Sequence, residues 1–151
     1  MRHRRLFAVI GVAVGMLVFA AAAEAWKATL IAPTHTPKVG SRWPIKVGAH
    51  GKNGKKLHAS AYYEFIYQGK VTKICKPLPS KPGGQKCTKS FPNLSQVNIG
   101  NYRYKFHGGF RDTVVWPKDS LLAAGGLTFR VVIHKRHGST KHVDYFVKPH
   151  L

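Results

Sequence analysis

Four kinds of side chain in this 151-residue chain could do chemistry: carboxylates, histidines, a pair of cysteines, and a large excess of lysine and arginine. Past the first 25 residues the acids are Glu64, Asp112, Asp119 and Asp144, and no two are spaced for shared acid and base work. There is no G-x-S-x-G nucleophile turn, no glycine loop opening a helix for phosphate, and no H-E-x-x-H zinc pattern. Glu64 alternates with Ser60, Tyr62 and Ile66, which predicts an outward or rim position. No catalytic residue is assigned, the chain is read as a non-enzyme, and a small secreted hydrolase is the third reading of its function.

Metal binding is the second reading. His134, His137 and His142 crowd one short stretch, and His134 and His142 share a face there, so a Cu or Zn ion has three candidate ligands. No carboxylate or cysteine completes that shell, and Lys135, Arg136 and Lys141 would repel a cation. Exposed histidines that respond to pH are the plainer account, so no metal or other cofactor is assigned. Cys75 and Cys87 are the two cysteines of the chain and suit a disulfide closing the segment CKPLPSKPGGQKC, with a stabilisation of about 3 kcal/mol from chain entropy.

The bases make the first reading. Formal net charge is +20 at pH 7, and the basic residues gather in connections: Lys52, Lys55 and Lys56 in one, Lys76, Lys81, Lys86 and Lys89 in the 76–100 insertion, and Lys135, Arg136 and Lys141 at the tip of the last hairpin. Such an excess implies an anionic neighbour and salt-sensitive binding. A wall polymer, a phospholipid surface or an acidic protein would serve, and charge alone does not separate these from nucleic acid. A basic surface that merely keeps the protein soluble is the competing account.

These residues must be positioned by strands. The chain opens with Arg2, His3, Arg4 and Arg5, continues apolar from Leu6 to Ala23, and reaches Ala23-Glu24-Ala25, the small-x-small pattern cut by signal peptidase. Residues 1–25 are therefore read as an export signal, helical in its apolar run, and export favours an envelope or extracellular partner. Left uncut, the same run would anchor the protein to a membrane. Removal leaves residues 26–151, one domain, expected to act as a monomer.

Period-two alternation then marks strand after strand. Trp43, Ile45, Val47 and Ala49 form one face of a strand, Ala59, Ala61, Tyr63, Phe65 and Tyr67 another, and Phe110, Asp112, Val114 and Trp116 a third. Val71 and Ile74 fall out of phase. Residues 76–100, with four prolines and a Gly83-Gly84 pair, read as a surface insertion without helix, and Pro117 opens a helical turn whose Leu121 and Leu122 cap the core.

The last hairpin fixes its own register. A three-residue loop, with Arg136 and His137 in a type I turn and Gly138 left-handed, sets Phe129 opposite Tyr145, Val131 opposite Val143 and Arg130 opposite Asp144. Seven to eight strands without a long helix imply an all-β, antiparallel sandwich. The landmarks Trp43-Pro44-Ile45-x-Val47, Tyr62-Tyr63-x-Phe65-x-Tyr67-x-Gly69, Phe110-x-Asp112-x-x-x-Trp116-Pro117 and Leu127-x-Phe129-Arg130-Val131-Val132 resemble the small secreted immunoglobulin-like domains of bacterial, particularly actinobacterial, exported proteins. That resemblance implies an immunoglobulin-like sandwich acting as a binding or structural module. The antibody-type bridge between sheets is absent, because both cysteines flank a loop.

Overall fold

The structure is a computed structural model describing residues 25–122 and 125–151, the side chains of residues 121 and 122 excepted. The expected signal helix and the expected core contacts of Leu121 and Leu122 lie outside the described residues. Among those described, nine strands follow one another: β1 (Lys27–Ile31), β2 (Arg42–His50), β3 (His58–Tyr67), β4 (Lys70–Lys76), β5 (Lys86–Cys87), β6 (Tyr104–His107), β7 (Gly109–Val115), β8 (Leu127–Lys135) and β9 (Thr140–Val147). They pair antiparallel into two sheets, β1-β2-β7 and β5-β4-β3-β8-β9, and β6 adds to the first half of β3. The result is an all-β antiparallel sandwich, with one strand more than expected because the insertion contributes the two-residue β5.

Alternation places the core where the sequence puts it. Trp43, Tyr63, Trp116 and Phe129 are each 2% exposed or less, and the rings of Trp43, Trp116 and Phe129 meet edge to face, Trp43 lying 5.2 Å from Trp116 and 5.3 Å from Phe129. Such packing adds about 0.5–1.5 kcal/mol per pair to the burial itself. One polar tie crosses between the sheets. Asp112, facing inward from β7, accepts a hydrogen bond from the Tyr63 hydroxyl at 2.8 Å and another from the backbone N–H of Thr113 at 2.8 Å. Burial, and then the Asp112 carboxylate, push the Tyr63 phenol well above its ordinary pKa.

The final hairpin has the expected register: Phe129 pairs with Tyr145, Val131 with Val143 and Arg130 with Asp144. Its turn differs in one residue. His137, with φ 54°, takes the left-handed conformation assigned to Gly138, and the Gly138 N–H closes the turn on the Lys135 carbonyl at 3.1 Å. A left-handed non-glycine residue costs about 1–2 kcal/mol, and the register has to be held by the strands on either side.

Out-of-phase Val71 and Ile74 have a simple cause. The β3–β4 register shifts between Phe65 and Ile66, leaving Thr72 as an extra residue whose hydroxyl donates to the Phe65 carbonyl at 3.0 Å. The insertion is less irregular than its prolines imply. Leu94–Gln96 and Ile99–Tyr102 are 3-10 turns, each opened by an asparagine side chain, Asn93 or Asn98, that accepts a backbone N–H of its first turn. Cys75 and Cys87 sit directly opposite one another on β4 and β5 and are bonded. Beyond them the Gly83 N–H and the Gln85 side-chain amide both donate to the Thr113 carbonyl, so the insertion lies alongside β7.

Candidate anion-binding surface

Antiparallel pairing brings three connections to the same end of the sandwich: β2 to β3, β6 to β7, and β8 to β9. The first holds Lys52, Lys55 and Lys56, all exposed, around a 3-10 turn Lys52–Gly54 closed by the Gly51 N–H on the Lys55 carbonyl at 2.7 Å. The second is Gly108, with φ +77°, whose N–H donates to the Leu57 carbonyl and whose own carbonyl accepts from Ala49. An added Cβ there would come within 2.7 Å of the Lys56 side chain, so glycine is required both for its backbone angle and for this lysine to lie across it. The third is the hairpin tip, tied to β3 by the Arg136 N–H on the His58 carbonyl at 2.9 Å. The connections at this end, and the strand ends leading into them, carry no carboxylate over residues 49–60, 104–110 and 133–142.

Lys52, Lys55, Lys56 and Arg136 thus lie exposed at one end. Lys141 is not free to join them. It shares the inward phase of Val143 and Tyr145, its ammonium donates to the Trp26 carbonyl at 2.5 Å, and it stands 4.9 Å over the Trp26 indole, which in turn donates to the Ser139 hydroxyl. Lys135, on the inward phase of β8, is half-buried.

Between β6, β3 and β8 the same end opens into a cleft of about 430 Å³. Lys105, His58, His134, Arg136 and His137 surround it, Ser60 lies among them, and Ala59 and Phe106 supply its apolar part. The pairings His58 with His107, Ser60 with Lys105 and Ser60 with His134 put these groups on one face of the sheet. His58 stacks on His107 at 4.2 Å, His134 Nδ1 is bound to the Thr140 hydroxyl at 2.7 Å, and the Arg136 Nε donates to His137 Nε2 at 3.2 Å. Sequence reasoning singled out His134, His137 and Arg136 but missed His58, Ser60 and Lys105. Their signal was the phase opposite to Ala59, Ala61 and Phe106, which fixes the face but not which strands adjoin.

His142 shares the sheet face of His134, diagonally across the hairpin, while His137 sits at the tip. Among the described residues no three His, Cys, Asp or Glu side chains gather as ligands for one metal ion.

Acids occupy the rest of the molecule. Arg130 grips Asp144 through two hydrogen bonds, 2.6 and 2.9 Å, and lies 3.7 Å from Glu64. Those hydrogen bonds hold the Asp144 carboxyl below its ordinary pKa and raise that of Arg130. Glu64 goes the other way, because burial outweighs the pull of Arg130, and Tyr62 beside it is raised by burial and by Glu64. Asp119 pairs with Lys73 at 2.9 Å. Each of the four acids therefore has a structural partner.

No family model matches the chain, and no curated protein matches it. Among solved structures it is similar to the sporulation control protein Spo0M from Bacillus subtilis, with 13% identity and a TM-score of 0.44 over 84% of this chain and 50% of that one. It is also similar to a DUF4466 family protein from Parabacteroides merdae, with 12% identity and a TM-score of 0.40 over 82% of this chain and 45% of the other. The chain spans half or less of the length of each.

Proposed function

We propose that this domain is a non-enzymatic binding module that docks its basic end onto an anionic partner of the cell envelope or extracellular space. The observation that carries this reading is the segregation of charge: three connections converge with their lysines and arginine exposed, and no carboxylate lies among them. Exposed bases also lie elsewhere on the domain, Lys70, Lys86 and Lys118 among them, so what distinguishes this end is a set of basic loops on a rigid scaffold with no acid among them, an arrangement that suits binding. Pairing of all four acids with structural partners supports a module without turnover. Export belongs to the same reading, resting on the leader and on a disulfide of the kind that persists outside the cytoplasm.

Retention on an immobilised polyanion across a salt series tests it. The logarithm of the binding constant falls linearly with the logarithm of salt concentration if the reading is right. Elution that ignores salt removes it.

A further inference from the structure

The cleft at the basic end has the features of a pocket, and they point to a ligand class. At about 430 Å³ it lies within the range of about 300–1,000 Å³ usual for small-molecule sites and is too large for a bare phosphate ion. Its polar groups are an ammonium, a guanidinium, imidazoles and a hydroxyl, with no carboxylate, so an anion is favoured over a cation or a neutral sugar. Two of the donors are held in place before any ligand arrives. With Nδ1 of His134 committed to Thr140, its Nε2 is left for a ligand, and with Nε of Arg136 committed to His137, the two terminal guanidinium nitrogens are left. Backbone pairing of Arg136 with His58 keeps the tip over the cleft.

A carboxylate offers two oxygens and one charge, and one arginine fork satisfies it. Lys105, Arg136, His134 and Ser60 together exceed that and match a doubly charged group with three outward oxygens.

We propose that the cleft between β6, β3 and β8 binds a phosphomonoester, either on a small free molecule or at the phosphorylated end of an anionic polymer. This deepens the polyanion reading and rests on it, but it assigns one pocket where that reading needs only a charged surface.

The test titrates glycerol phosphate into the domain at fixed ionic strength, following the imidazole signals of His58 and His134 by NMR, with sulfate as the control anion. A second arm compares a short single-stranded oligothymidylate with and without a 5′-phosphate. Saturable shifts at both histidines with glycerol phosphate assign the pocket to the free ligand. Tighter binding of the phosphorylated oligonucleotide, by about tenfold for a group that gains charge-assisted bonds, assigns it to the chain end. Lys105→Ala and Ser60→Ala weaken whichever arm is positive, with unchanged thermal unfolding, while Lys70→Ala, exposed at the opposite end of the sheet, leaves it unaltered. Failure of both arms, shifts of equal size with sulfate, or loss of binding with Lys70→Ala overturns the pocket. Salt-dependent retention on the polyanion matrix that survives such a failure leaves the broader reading standing. Salt-independent retention alongside a saturable pocket removes the broader reading alone.

Discussion

The two halves of this sandwich handle charge in opposite ways. In the half that holds the carboxylates, each acid is answered by a neighbour: Arg130 sits between Asp144 and Glu64, Lys73 meets Asp119, and Asp112 is buried against Tyr63. At the other end, Lys52, Lys55 and Lys56 project from a tight turn, and Arg136, Lys105 and the imidazoles ring a cleft with no acid to meet them. Neighbouring like charges raise the free energy of the folded state, so a fold that sets several of them together at one end with no acid beside them trades some stability for attraction to an opposite charge. The scarcity of acids makes this possible, because the few present are all committed elsewhere.

Substitutions at matched positions separate the two halves. The largest loss of stability belongs to Asp112→Ala, which leaves the buried Tyr63 hydroxyl without its acceptor and opens a gap between the sheets. About 3 kcal/mol should be lost in urea unfolding, while polyanion retention of the folded fraction stays the same. Replacing Lys52, Lys55 and Lys56 together by serine should do the reverse. The salt slope of retention should become shallower by up to about 2–3, with stability changed by no more than about 0.5 kcal/mol. Lys141→Ala sharpens the boundary, since its charge lies at the basic end yet serves Trp26. We expect about 1 kcal/mol of stability to be lost, read by thermal unfolding, and no change in salt slope.

Smallest is Asp144→Asn, at about 0–1 kcal/mol for a pair this exposed. Its pH dependence gives the sign. A carboxyl whose folded pKa is lowered stabilises the protein above its unfolded pKa of about 3.9, and that stabilisation disappears as pH falls through the folded value. The gap between wild type and Asp144→Asn should therefore be constant near neutrality and close below about pH 4. Glu64, with its pKa raised by burial, contributes in the opposite sense, favouring the fold at low pH and losing that contribution as pH rises through the folded value.

What could be read from the chain follows from the range of each interaction. Alternation is local, so the inward faces of β2, β3, β7, β8 and β9, the pairing of Phe129 with Tyr145 and the Arg130–Asp144 contact were all legible. His137 was misjudged against Gly138 because the left-handed residue of a turn is chosen by the strands it joins, and glycine only makes that choice easy. Lys141 was counted with the exposed bases although its phase matched Val143 and Tyr145. At a strand end that inward phase leads to Trp26, 115 residues away in sequence. The cleft was invisible for a similar reason. His58, Lys105 and His134 come from three strands, and nothing local says that β6 pairs with the first half of β3 while β8 pairs along its other side.

The bonded insertion has a second consequence. By giving the Thr113 carbonyl two donors from Gly83 and Gln85, it occupies hydrogen-bonding positions on the outer margin of β7 that another chain could otherwise use. Reducing the Cys75–Cys87 bond costs about 3 kcal/mol by chain entropy and also loosens that cover. The expected result is a protein that, once reduced, clumps before it fully unfolds, which light scattering during a slow titration with reductant would reveal.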